Sequence, residues 1–265
     1  MPVVSISYSG LSDWQYCPYY YKLVNIEKLR TFTKNIWTYH GTLVHHYVQA
    51  VLKEEITPEN AAKEFTRKWT KLCGIFKKPL LEQLGEDKFP GHWLKPSVLA
   101  ISTIKKQFKK EFGDYKVIRT EEYIRLPHAP WPQEFRGFID IILESGDKTI
   151  IADFKTCESA FLFNKYKDKF KDYQLTLYKH FFCIKHNLDP DKVETYFIPL
   201  ERTKKTKKAV HFVKISSGKV KVKNAIEWLE KALGAINRKF WIKNRMACHK
   251  YGEGKCVFYK SEHCS

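Results

Sequence analysis

Phe135-Arg136-Gly137-Phe138-Ile139-Asp140-Ile141-Ile142-Leu143-Glu144, then Ser145-Gly146-Asp147-Lys148, then Thr149-Ile150-Ile151-Ala152-Asp153-Phe154-Lys155-Thr156 is the stretch whose reading decides the fold. Two runs rich in β-branched and aromatic residues flank a short polar turn with a glycine, which predicts a β-hairpin. A two-residue loop at Gly146-Asp147 places Ser145 across from Lys148, and a four-residue loop closed by Glu144 and Thr149 keeps the same register. Either loop sets Asp140 directly opposite Asp153. Two carboxylates in that position repel each other. A divalent cation between them would offset the repulsion, and oxygen ligands suit Mg²⁺ or Mn²⁺. Side chains two apart on a strand share a face, so Lys155 neighbours Asp153. A lysine there can hydrogen-bond a scissile phosphate or help position the attacking water. The alternative is a turn of different length, which would leave an Asp–Lys pair on a solvent-facing strand.

Outward from the hairpin, the pattern changes character twice. Residues 9–30 read as a short helix and its exit, followed by helices at 41–55, 57–84 and 95–112, with a Gly/Pro-containing loop at 85–91. A strand is expected at 115–126, broken by Pro127, Pro130 and Pro132. After the hairpin come a helix at 169–187, strands at 193–200 and 209–215, a helix at 222–244 and an irregular tail. That order predicts an α/β fold around a mixed sheet. It is read as one domain over 1–265, mainly helical over 1–112, with an α/β core over 113–244 and a Cys-rich tail over 245–265.

The helix at 41–55 buries a stripe of Leu43, Val44, Tyr47, Val48, Val51 and Leu52. His46 points away from that stripe. His45 lies at its edge, where an imidazole can reach the rim of a cleft or simply remain a satisfied boundary residue.

The chain carries a formal net charge of +18. Such a surface favours a polyanionic partner, because each neutralised phosphate releases counterions. Basic residues are dense at 105–110, 165–171 and 202–208, and the run Phe163-Asn164-Lys165-Tyr166-Lys167 interleaves aromatics with them. That mixture suits base stacking with phosphate contact. No apolar run is long enough to span a membrane, and Met1-Pro2-Val3-Val4-Ser5 does not read as a signal peptide. A cytoplasmic protein is therefore expected. Seven cysteines with no secretory signal argue against a disulfide framework.

In these residues the chain resembles the PD-(D/E)XK nuclease superfamily, and within it the RecB-like, AddB-like branch. Gly41-Thr42-Leu43-Val44-His45 resembles its G-x-x-x-H helix, and Gly137-Phe138-Ile139-Asp140 its G-x-x-D strand. Asp153-Phe154-Lys155 resembles its D/E-x-K strand, and Tyr173-Gln174-Leu175-Thr176-Leu177-Tyr178 its Q-x-x-x-Y helix. Four elements in order over 41–178 are specific where each alone is weak. The resemblance implies a restriction-endonuclease-like core. It implies that His45, Asp140, Asp153 and the Phe154 carbonyl ligate Mg²⁺ or Mn²⁺, and that Lys155 is catalytic with Asp140 and Asp153. Gln174 and Tyr178 would contact the DNA strand or Lys155. Glu122, on the preceding strand, is a weaker candidate outside that set.

Some RecB-like nucleases carry an iron–sulfur cluster held by one cysteine before the core and three after it. Cys17 with Cys248, Cys256 and Cys264 resembles that layout and implies a 4Fe–4S centre. Here seven residues separate each successive pair of tail cysteines, wider than the family usually shows. Zinc bound by Cys248, Cys256 and Cys264 with His249 or His263 is the rival, and buried thiols with no metal the third reading. Cys73, Cys157 and Cys183 are expected to pack as small apolar residues.

The activity implied is metal-dependent hydrolysis of DNA, as an exonuclease on single strands or ends. A structure- or site-specific endonuclease and a non-catalytic DNA-binding module are the alternatives. With no G-x-x-x-x-G-K-[ST] in the chain, a helicase or recombination partner would be a separate chain.

Overall fold

The computed structural model describes residues 5–29, 35–84, 90–160, 163, 169–202, 207–249 and 256–264, without the side chains of 79–84, 169 and 249. Most of the basic runs at 165–171 and 202–208, and the Phe163-to-Lys167 stretch after Phe163, fall outside the described residues.

The chain is α/β, with a mixed sheet between two layers of helices. The strands are β1 (Ser5–Ser7), β2 (Lys116–Pro127), β3 (Glu134–Ser145), β4 (Lys148–Cys157), β5 (Val193–Glu201) and β6 (Val213–Ile215). The helices are α1 (Tyr8–Tyr16), α2 (Pro18–Tyr21), α3 (Ile36–Leu52), α4 (Pro58–Leu84), α5 (Leu94–Phe112), α6 (Lys169–His186) and α7 (Lys219–Asn237). The sheet runs β1-β3-β4-β5-β6, and β2 lines the other edge of β3. β1 is parallel to β3, and β4 is parallel to β5; the remaining pairs are antiparallel.

Local chemistry explains the elements that place the site. Asn35 caps α3 by accepting the Thr38 N–H. Of the stripe read from its period, the helix buries Val44, Tyr47, Val48, Val51 and Leu52 and leaves Leu43 partly buried, while His46 is exposed. That stripe joins Phe65 and Trp69 of α4, Ile101, Ile104 and Phe108 of α5, and Ile141, Leu143, Ala152 and Phe154 of the sheet. On the other face, Ile124, Phe135, Ile139, Ile142 and Ile151 pack against Leu177 and Phe181 of α6 and Trp228, Leu229 and Leu233 of α7. Each large apolar side chain fully buried in these layers contributes about 1.5–3 kcal/mol.

Three elements differ from the sequence reading, the first being α3, which runs Ile36–Leu52 instead of 41–55. The last helix ends at Asn237 instead of 244. There Phe240 N–H bonds Ala235 O and Lys239 N–H bonds Ile236 O, with Lys239 at φ 55°. This closure usually uses glycine at the left-handed position, so a lysine there hides the stop. The last strand is only Val213–Ile215, because upstream of it Val210 makes a single bridge to Leu200.

One topological detail creates an opening. β1 pairs with Glu134, Phe135 and Arg136 of β3, and β4 pairs with Ile141 to Ser145 along the same edge. Residues 137–140 lie in the gap between the two partners.

Candidate active site

The hairpin register is the one read from the turn: Ser145 faces Lys148 and Ile141 faces Ala152. The ladder stops there. At the next position, where Asp140 would face Asp153, the strands part. Asp140 Oδ2 instead accepts the Phe154 N–H at 2.7 Å. The faces also change at this point. Ile139 packs in the α6–α7 layer and Ile141 in the α3–α5 layer, although they are two apart. Asp140 is the residue at which the alternation breaks.

Three elements converge on the gap. From α3, His45 Nδ1 lies 3.7 Å from Asp140 Oδ2, too long for a hydrogen bond. Its ring is tilted against Phe154 at 5.7 Å. From β4, Lys155 Nζ approaches Asp153 Oδ2 to 2.6 Å. From α6, Gln174 Nε2 donates to Asp153 Oδ1 at 2.7 Å and lies 3.5 Å from the Tyr178 hydroxyl. Gln174 and Tyr178 are buried, and Gln174 grips Asp153 where the sequence reading had DNA or Lys155.

A glycine makes one of these approaches possible. A Cβ on Gly137 would meet the Tyr178 ring at 2.5 Å, so the ring occupies the space that a side chain would need. A Cβ on Gly41, one turn before His45, would stand 3.5 Å from Thr156 Oγ1, where α3 crosses close to β4.

Sequence reasoning missed Gln49 and Glu121. Gln49, one turn beyond His45 on α3, donates to both Glu121 Oε1 at 2.7 Å and the Asp140 carbonyl at 3.0 Å. Glu121 stands at φ 52°, in the left-handed region that a glutamate rarely adopts. That kink, after a register shift between Val117 and Arg119, turns Glu121 toward the site. The i,i+4 spacing of His45 and Gln49 was the available signal; nothing local announces the kink. Glu122 points to the opposite face. There Lys185, His186 and Arg119 all bond its carboxylate and hold it down to about 2, against the desolvation of its site. It is a structural anchor between β2 and α6.

Burial raises the pKa of Asp140 well above the usual carboxylate range, and Asp153 raises it further. Burial also raises Asp153, against the pull of Lys155 and Gln174. Burial lowers Lys155, but Asp153 outweighs it and leaves the ammonium firmly charged. His45 is lowered to about 4 by burial and then by Lys155, so its imidazole is neutral at pH 7 with a lone pair free for a cation.

The donor set is a neutral imidazole and two carboxylates that resist being charged together, the chemistry a divalent cation relieves. Asp153 Oδ2 makes no well-angled hydrogen bond. Among the described residues, no three His, Cys, Asp or Glu side chains are gathered closely enough to cage an ion as they stand. His45 Nδ1 and Asp140 Oδ2 stand 3.7 Å apart, a separation one ion at about 2.1 Å from each could bridge.

A second cluster lies away from this gap. Cys17, Cys248, Cys256 and Cys264 line one cavity of 20 Å³ with Tyr20, Leu23, Ala247 and Phe258. The Tyr20 and Asn244 N–H groups point at the Cys17 sulfur at 3.5 and 3.3 Å. The cysteines at the two ends of the chain therefore meet. The His249 side chain lies outside the described residues. His263 sits beside Glu262 at 3.4 Å. Of the other cysteines, Cys183 is buried, and Cys73 and Cys157 are only partly so.

Residues 5–263 match the PD-(D/E)XK nuclease superfamily. No curated protein matches the chain. A crystal structure of a "Putative exonuclease" from Eubacterium rectale is similar with a TM-score of 0.54 at 14% identity, over 96% of this chain and 90% of that one. A likeness at that identity speaks to the fold. The structure of SSO0001, at TM-score 0.33, 11% identity, and 74% and 87% coverage, is too distant to add to it.

Proposed function

The chain belongs to the PD-(D/E)XK nuclease superfamily, and from that premise we propose that it is a Mg²⁺- or Mn²⁺-dependent deoxyribonuclease, an exonuclease on single strands or ends. The observation that carries this is the gap where β3 and β4 part. It sets His45 beside Asp140 and the Phe154 backbone, with the Asp153–Lys155 pair on the adjoining strand.

His45, Asp140 and Asp153 would hold the ion, with the Phe154 backbone beside them. A bound ion would lower the pKa of a coordinated water and stabilise charge on the scissile phosphate. Gln174 fixes the Asp153 carboxylate by holding Oδ1, which leaves Oδ2 for the ion and Lys155. Lys155, charged at neutral pH, binds a phosphate oxygen and orients the attack. Tyr178, wedged against Gly137, sets the distance between α6 and β3. The whole chain acts as one nuclease domain. A helicase or recombination protein is the proposed partner.

The tail cysteines are proposed as a structural centre. Cys17, Cys248, Cys256 and Cys264 line one cavity, and four thiolates are the ligand set of a four-iron cluster. The reading is therefore a 4Fe–4S centre clamping the two ends, with zinc as the rival.

The test is cleavage of end-labelled and circular DNA, single- and double-stranded, in Mg²⁺, Mn²⁺ or EDTA. Metal-dependent cleavage lost in Asp153→Ala and Lys155→Ala is expected. Loss of linear but not circular substrate identifies the exonuclease. DNA binding without cleavage in either metal would leave a binding module.

A further inference from the structure

The sheet face beside the candidate site is left uncovered by α3. Tyr123 and Phe138 are cross-strand partners on β2 and β3, and both are exposed, Phe138 to 53%. Their rings lie 4.8 Å apart, tilted by 35°. Phe138 precedes Asp140 by two residues on β3, and Tyr123 follows Glu121 by two on β2. The aromatic pair therefore stands about 7 Å along the strands from the acidic gap. Two further residues on, Arg125 and Arg136 form the next cross-strand pair on the same face. Both are exposed, and Glu134 steadies the Arg125 guanidinium.

A row of carboxylates, then a paired aromatic surface, then two guanidiniums runs along two adjacent strands. Solvent-facing tyrosine and phenylalanine have no packing reason to be here, since the same strands bury Ile124, Phe135 and Ile139 on their other face. We propose that Tyr123 and Phe138 form a stacking platform for one unpaired nucleobase next to the scissile phosphate, with Arg136 and Arg125 contacting the following phosphates.

The inference rests on the nuclease reading and sharpens it. A base can lie flat on this platform only when it has left its partner strand. The substrate at the gap is therefore single-stranded or frayed at its end. The molecule's +18 net charge supplies the complementary field along which such a strand is held.

The experiment measures binding by fluorescence anisotropy in EDTA, so that it does not depend on cleavage. Wild type, Phe138→Ala/Tyr123→Ala and Phe138→Trp are titrated with a single-stranded oligonucleotide, a blunt duplex, and a series with one abasic site moved along the single strand. The double variant is expected to lose single-strand affinity roughly tenfold, within what stacking a base on an aromatic contributes. Its duplex affinity should stay unchanged, and the tryptophan variant should keep wild-type affinity. One abasic position should weaken wild type by a similar factor and the double variant no further. Equal loss on both DNAs, insensitivity to the abasic site, or a change in oligomeric state with DNA affinity intact would each overturn the platform. The last would make the pair a protein contact. The expected binding pattern without metal-dependent cleavage would sink the nuclease reading alone. Cleavage with abasic-insensitive binding would sink the platform alone.

Discussion

Gly137 shows how a single position couples the two sides of the site. The Tyr178 ring fills the space where its Cβ would stand. Gly137→Ala must push α6 or β3 aside, and forcing an added methyl into a packed site costs about 1–3 kcal/mol. The expected result is a lowered Tm and reduced cleavage, because Gln174 rides on the same helix and holds Asp153. Adding Tyr178→Ala should restore part of the lost stability. If Gly137→Ala melts like wild type, the wedge is not what sets the helix against the strand. The motif glycine was visible in the sequence, but the ring that requires it was not. Glu121 and Glu122 make the complementary case. Adjacent acids on one strand differ in role because a backbone at φ 52° turns one toward Asp140, while Lys185 and His186 hold the other against α6.

Where α3, α4 and α5 meet, one histidine makes the packing sensitive to acid. His40 is buried among Trp69 and Trp93, with ring centroids 4.9 Å from each, and its Nε2 bonds Ser97 Oγ at 2.8 Å. Burial, then Arg202 and His45, lowers its pKa from 6.5 to about 3. The unfolded chain takes up a proton near pH 6.5 that the folded chain refuses until about pH 3. Stability from this group is complete above pH 6.5 and declines as pH falls through that window, by at most ~1.4 kcal/mol per pH unit. Urea midpoints between pH 7 and 4 should fall more steeply in wild type than in His40→Gln. Parallel slopes would remove His40 as the cause. The periodic stripe that placed α3 in the core gave no warning of this, since a buried histidine and a rim histidine look alike until the neighbouring helices are in place.

At the scale of the molecule, the two ends are fastened together. Asn244 N–H reaches the Cys17 sulfur, Asn244 Nδ2 bonds Tyr16 O at 3.0 Å, and Tyr19 N–H bonds Ile242 O at 3.1 Å. The proposed centre at Cys17, Cys248, Cys256 and Cys264 would lock that junction. Anaerobically purified protein should then carry about four irons per chain with matching sulfide. Cys17→Ser and Cys256→Ser should lose the iron and melt at lower temperature. Stoichiometric zinc in place of iron, or metal-free protein with the same Tm, would refute the cluster.

From its sequence alone the chain announced an α/β fold, a hairpin with Asp140 and Asp153 in register, and a helix presenting His45 beside a buried stripe. Those features follow from periods of two and 3.6 and from turn chemistry, which are properties of short segments. Only the tertiary structure decided that the ladder opens one step before the acidic pair, that Gln174 grips Asp153, and that Glu121 and not Glu122 turns toward the gap. It also decided that an aromatic pair stays bare next to that gap. Each of these depends on which elements β3 meets along its edges and faces. β1 and β4 share one edge and leave 137–140 without a partner on that edge, and Tyr123 and Phe138 stay exposed on the face beside it. Contacts between residues far apart in the chain are set by packing the whole, and no local pattern carries them.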